Sequence, residues 1–268
     1  MTLKSSASPL PLTPMLERFD LANRARAAGL HLLLSALVAG LAAALVFGLW
    51  YPGVYRSLAG GRGLFLLLIG VDVVLGPLLT FVVFDLKKGW PHLRRDLAVI
   101  GLIQLGALGF GLHAVYAARP VATVFEVDRF RVITANQVPV SELAKAPVAY
   151  RDLPLTGPWV LGTRTPKAGT ERDESLAMGI EGVDIAQRPL FWQPYAASTA
   201  DALARSRPVA LLLSRYPALA TQLKDELRKL DVDAGTATFL PVVARGDWVV
   251  VLDRAGRLVH YVPVDGFF

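Results

Sequence analysis

The chain has no cysteine and only four histidines in 268 residues. The absence of cysteine excludes disulfides, thiolate catalysis and Cys-type zinc or iron–sulfur centres, and it leaves the compartment open. Charge is scarce as well: charged residues are 19% of the chain and hydrophobic residues 53%, where a soluble domain carries about 25% charge. Part of this chain is therefore apolar enough to be solvated by lipid. Acidic residues are scarcest early on. Up to residue 119 there are 11 Lys and Arg against 5 Asp and Glu, and beyond it 17 against 17, so the net charge of +6 belongs to the first half. The second half lacks the basic footprint of a phosphate-backbone binder, and no nucleic-acid partner is expected.

Three apolar stretches stand out, at about 30–50, 64–84 and 97–118. Leu30 to Trp50 contains no charged residue and, at 1.5 Å per residue, matches a hydrocarbon core of about 30 Å. A cleaved signal peptide is the alternative, but the stretch exceeds the roughly 7 to 15 residues of a signal core and ends in Trp50-Tyr51-Pro52 rather than at a small-residue cleavage site. The second stretch contains Asp72. A central Asp costs about 2.5–3.5 kcal/mol, and the Leu, Ile, Val and Phe residues around it each return about 0.3–0.6, so the segment still inserts. The third has only Gln104 and His113 as polar exceptions.

Arg18, Arg24 and Arg26 precede the first stretch, and Lys87, Lys88, Arg94 and Arg95 lie between the second and third; the loop between the first two has only Arg56 and Arg62. Short basic loops stay in the cytoplasm, which predicts an N-terminus inside and a C-terminus outside. Residues 1–29 form a basic cytoplasmic tail whose Ser-, Pro- and Thr-bearing start reads as disordered, with Met15 as an alternative initiator.

Within the apolar stretches two features invite a function. Ala36, Gly40, Ala44 and Gly48 recur every four residues and line one helix face with small side chains, which lets another helix approach closely, from this chain or from a partner. Gly76-Pro77 follows Asp72 and predicts a kink beside a buried acid, with Gln104 or His113 as its expected hydrogen-bond partner.

After the third stretch, residues 121–127 and 129–133 read as two strands split by Asp128. Residues 141–145 suggest a helical turn, 162–174 a mobile loop, and Leu219, Leu223, Leu227 and Leu230 an amphipathic helix. The chain closes on three alternating segments, 238–244, 246–253 and 257–265, which read as an antiparallel meander. No His sits beside a nucleophile, His260 being placed in a strand; no metal-ligand spacing and no phosphate loop occurs, and no cofactor is expected. Binding rather than catalysis is the reading; a membrane enzyme acting on lipid-linked substrates through Asp72 is the alternative.

Several segments together resemble the TfpX/TfpZ family of type IV pilin accessory proteins, most clearly over residues 15–155. They are Arg24-x-Arg26 with His31, Trp50-Tyr51-Pro52, the run from Gly70 to Thr80 that includes Asp72, Arg94-Arg95-Asp96, Gln104, Arg119-Pro120, and Phe125 to Phe130 with Asp128, Arg129 and Phe130. The resemblance implies an inner-membrane, chaperone-like assembly factor that supports its cognate major pilin; the small-residue helix face and the outer domain suit contact with the pilin's membrane helix and periplasmic head, with other pilus assembly proteins as further expected partners. It also implies an accessory protein rather than a subunit, since no prepilin-like leader is seen. The expected architecture is a membrane protein with a three-helix transmembrane bundle over residues 30–119, followed over 120–268 by a small α+β periplasmic domain with an antiparallel sheet.

Overall fold

A computed structural model describes residues 20–268; the expected tail lies outside the described residues as far as residue 19. The chain divides into two compact units, one of residues up to Ala42 together with Leu66–Leu112, the other of Ala43–Phe65 together with His113–Phe268.

Three helices are long and apolar enough to cross a membrane: α1 (Leu21–Trp50), α2 (Gly61–Val83) and α3 (Trp90–Ala117). Asp20 caps the start of α1 by accepting the Asn23 backbone N–H at 3.3 Å, one of the donors that a helix N-terminus leaves without an intrahelical partner. Between α2 and α3, Asp85 accepts the Lys87 N–H at 2.9 Å, and Pro91 in the first turn of α3 gives up only an N–H that had no intrahelical acceptor. Pro77 lies inside α2 without ending it. In the helical unit, α2 and α3 approach through glycine: a Cβ on Gly76 or on Gly111 would fall 2.0 Å from Gln104 or Leu68 respectively. The outward faces are leucine and phenylalanine, with Leu67 and Phe110 more than three-quarters exposed.

The second unit is built on an eight-stranded sheet. In chain order it contains β1 (Pro120–Glu126), β2 (Arg129–Thr134), β3 (Trp159–Thr163), α4 (Thr170–Ile180), β4 (Trp192–Pro194), α5 (Thr199–Arg205), β5 (Arg207–Pro208), α6 (Val209–Arg215), α7 (Ala220–Lys229), β6 (Thr238–Ala244), β7 (Gly246–Leu252) and β8 (Leu258–Val262). The strand order is β4-β3-β1-β2-β6-β7-β8, with β5 on β6. The predicted meander β6-β7-β8 is antiparallel as read, and β1 and β2, expected as two strands split by Asp128, pair as an antiparallel hairpin. The expectation of an antiparallel sheet is corrected: β1 pairs β3 in parallel and β2 pairs β6 in parallel, so the sheet is mixed. Parallel pairing joins strands far apart in sequence and leaves no local turn signature.

Residues 162–174 are likewise not a continuous loop. They contain the end of β3 and the start of α4, whose first turn carries Glu171 and Asp173, acids that suit a helix N-terminus. Arg164 holds Glu171 through two hydrogen bonds of 3.0 and 2.7 Å.

Three apolar clusters form the core of this unit. Leu212 and Leu223 of α6 and α7 pack with Phe239 and Val251; Phe125 and Phe130 pack with Leu240 and Val250; Val121 and Ile133 pack with Leu161 and Trp192. Leu223 and Leu227 of the predicted leucine stripe are buried as expected, while Leu230 is half exposed at the helix end. Phe191 and Trp192 are fully buried core residues.

Candidate functional site

In the helical unit the basic entry of α1 turns out to bind the end of α2. Arg24 donates to the carbonyls of Phe81 and Val82 at 3.2 and 2.6 Å and pairs with Asp85 at 3.5 Å. Its charge therefore sits where the last carbonyls of α2 have no intrahelical donor and the helix dipole is negative. One heptad on, the same face of α1 carries His31, whose Nδ1 lies 2.5 Å from the Thr80 hydroxyl. Arg26 faces outward. Arg24, His31 and Thr80 were legible as motif residues; their pairings, and Asp85, were not, because no spacing rule connects residues 49 to 61 positions apart.

Asp72 and Gln104 do meet. The Gln104 side-chain amide donates to the main-chain carbonyl of Asp72 at 3.1 Å, and Gly76, one turn further along α2, provides the room for that amide. Pro77 lacks an N–H and so cannot continue the ladder in this turn. His113 is exposed and belongs to the other unit. His31, Ser35, Asp72 and Gln104 are the polar lining of an otherwise apolar cleft of about 190 Å³ among α1, α2 and α3. Ala36, Gly40, Ala44 and Gly48 are all exposed, and nothing lies within 4 Å of the position a Cβ would take on Gly40 or Gly48. The small-residue face of α1 is open.

In the sheet unit the remaining motif residues build a structural joint. Tyr51 is fully buried and its hydroxyl donates to the Val115 carbonyl at 3.0 Å; burial pushes its pKa up to about 12, against the opposing charge of Arg119. Pro52 lies next to the Gly157 backbone. Leu58, in the same turn, joins the Phe130 cluster, and its carbonyl accepts the Arg245 N–H at 2.8 Å. Arg119 is buried, donates to the carbonyls of Tyr116 and Pro154 at 3.0 and 3.1 Å, and stacks over the Tyr116 ring at 3.9 Å. Pro120 opens β1.

Asp128 and Arg129 form an ion pair of 2.6 Å at the tip of the β1-β2 hairpin. Beside them Val127 is exposed with φ of 53°, a left-handed conformation that is costly for a β-branched residue. Phe130 is buried against Phe125 and Tyr195.

Two buried charge pairs went unread in the sequence. Arg188 pairs with Glu142 at 2.6 Å, both nearly inaccessible. Glu126 accepts from Arg131 at 2.7 Å and from the Ala186 N–H at 3.1 Å. His260 faces Glu226 across 3.4 Å. Among the described residues no group of His, Asp and Glu is arranged to hold a metal ion.

Over 246 residues the chain is 36% identical to the fimbrial assembly protein of serogroup I of Dichelobacter nodosus, covering 91% of this chain and 96% of that relative. The chain belongs to the fimbrial assembly protein family. The serogroup E1 protein of the same organism matches at the same identity and coverage. The protein of serogroups C1 and C2 is 42% identical over 122 residues, 46% of this chain and 93% of that relative. The family described as "Fimbrial assembly protein FimB" matches residues 19–60, a segment holding Arg24, His31, Tyr51 and Pro52. Membership in this family accords with the resemblance to type IV pilin accessory proteins. No solved structure matches the chain.

Proposed function

We propose that this protein is an inner-membrane assembly factor for type IV pili that binds its cognate major pilin and supports it before or during incorporation into the pilus. In this reading residues 30–50, 64–84 and 97–118 cross the bilayer, residues 1–29 are cytoplasmic and residues 120–268 form a periplasmic domain. The observation that carries it is the identity to fimbrial assembly proteins along nearly the whole chain. Two features of the molecule support it. The α1 face of Ala36, Gly40, Ala44 and Gly48 is open to a second helix, and close helix approach through small residues is how membrane helices associate without a hydrophobic driving force. The sheet unit adds a folded surface of its own, so that a pilin held at both its helix and its head gains effective concentration at the second contact.

The test is a photo-crosslinking residue at Gly40, and separately at Val127, in cells that make the pilin. Capture of the pilin from both positions is expected. A pilin that crosslinks from neither, while the protein is present in the membrane fraction, rejects the reading. A reporter fused after Phe268 is expected to be active only in the periplasm.

A further inference from the structure

We propose that the cleft among α1, α2 and α3 is a socket for one cationic side chain, an ammonium or guanidinium group, carried by a membrane-spanning helix of another protein. The inference rests on the reading that the three helices are embedded in lipid, and it names a contact separate from the small-residue face of α1.

Asp72 is the twelfth of the 23 residues of α2, about 16 Å from either end at 1.5 Å per residue, which is the middle of a bilayer-spanning helix. It lines a cleft whose other walls are apolar side chains such as Val38, Ile69 and Leu108. Of the polar neighbours, the Gln104 amide and the His31 ring are already engaged, which leaves the Ser35 hydroxyl as the remaining polar group of the lining. Gln104 gives its amide to the main-chain carbonyl of Asp72, and His31 faces Thr80. Among the described residues the Asp72 carboxylate itself takes part in no hydrogen bond and no ion pair. Acids at membrane depth pair with another group, because the charged form has no water to solvate it.

The partner is not a second copy of this chain. Residues 30–50, 64–84 and 97–118 contain no Lys or Arg, so another copy has no ammonium or guanidinium group to present at that depth. Volume sets the size of the guest. A cavity of about 150 Å³ takes a benzene-sized molecule, so this cleft of about 190 Å³ admits one long side chain and excludes a whole helix. A partner helix lying against the bundle, with a Lys or Arg reaching the carboxylate, satisfies the charge and the space together.

The test reconstitutes the full chain in phosphatidylcholine nanodiscs and measures its association, by energy transfer, with a synthetic polyleucine helix of about 20 residues. Three versions carry Lys, Gln or Leu at the centre. The Lys helix is expected to associate at least roughly tenfold more tightly than the other two. Asp72→Asn should remove that preference, Asp72→Glu should keep it, and Ala39→Leu, which fills the cleft and leaves the carboxylate in place, should remove it while thermal unfolding of the sheet unit stays unchanged. Equal association of the Lys and Leu helices, an equal or greater preference for Gln, or a Lys preference that survives Asp72→Asn overturns the proposal. Failure of the chain to enter the nanodiscs would instead overturn the membrane reading on which both this inference and the assembly role depend.

Discussion

The helical unit exposes side chains such as Leu66, Leu67 and Phe110, whereas the sheet unit buries Phe130, Phe191, Trp192 and Phe239 almost completely. The same hydrophobic effect cannot favour both arrangements in one solvent, since about 25 cal/mol for each Å² of apolar surface left in water would weigh against the first. The difference teaches that the two units follow two packing patterns: helices that meet through glycine and leave leucine outside, as membrane helices do, and a sheet that buries its aromatics, as domains in water do. Polar chemistry divides in the same way. The sheet unit buries the Arg188–Glu142 pair, while the helical unit spends Arg24 on the carbonyls at the end of α2.

The largest effect should come from a matched pair of substitutions. Phe130→Ala removes a fully buried ring and is expected to cost about 3–5 kcal/mol in the stability of the sheet unit, whereas Phe110→Ala, on an exposed face, should change stability by no more than about 0.5 kcal/mol. Denaturant titration of the detergent-solubilised chain measures both, and comparable losses would abolish the contrast. Next, Arg24→Ala deletes two charge-assisted hydrogen bonds and an ion pair and should cost about 1.5–3 kcal/mol, seen as lower thermal stability of the helical unit with the sheet unit unaffected.

Gly76→Ala sharpens the comparison at a smaller scale. The added methyl displaces the Gln104 amide, a flexible group, so the expected loss is that of one interhelical hydrogen bond, about 0.6 kcal/mol and at most about 1.7 on the scale of membrane helices. A loss above about 3 kcal/mol would mean that the α2 backbone, and not the amide, gives way.

The smallest effect is a pH dependence confined to the sheet unit. The hydrogen bond from Arg164, joined by the Lys167 N–H, holds the carboxyl of Glu171 down from 4.5 to about 2. Because the folded-state value is depressed, this stabilisation is complete above pH 4.5 and is lost as pH falls from 4.5 toward 2. Hydrogen exchange across α4 should accelerate over that window, and Glu171→Gln should flatten the response.

The amphipathic helix α7 and the meander β6-β7-β8 were legible because each repeats a short period within one continuous segment. The same was true of the three apolar helices. β3, β4 and β5 were not, since the Trp159–Thr163, Trp192–Pro194 and Arg207–Pro208 segments are short and acquire strand character only by pairing with β1, β3 and β6. The site divides similarly. Asp72, Gln104, Gly76 and Arg24 announce themselves as polar, charged or helix-breaking residues in or beside apolar runs, while Thr80, Ser35 and Asp85 look ordinary until the helices are placed side by side.

The sequence by itself therefore determined how many long apolar helices the chain has and, to within one residue, where each ends, although α1 and α3 begin nine and seven residues ahead of their apolar stretches; it also determined which half carries the charge and which residues are unusual for their surroundings. Those properties follow from composition and from periods of two and 3.6 residues, which act locally. Only the tertiary structure decided that the sheet is mixed, that Gln104 reaches the main chain of Asp72, and that the small-residue face of α1 remains open. Each of these depends on contacts between distant segments, whose geometry is set by packing and hydrogen-bond satisfaction across the fold and leaves no periodic trace along the chain.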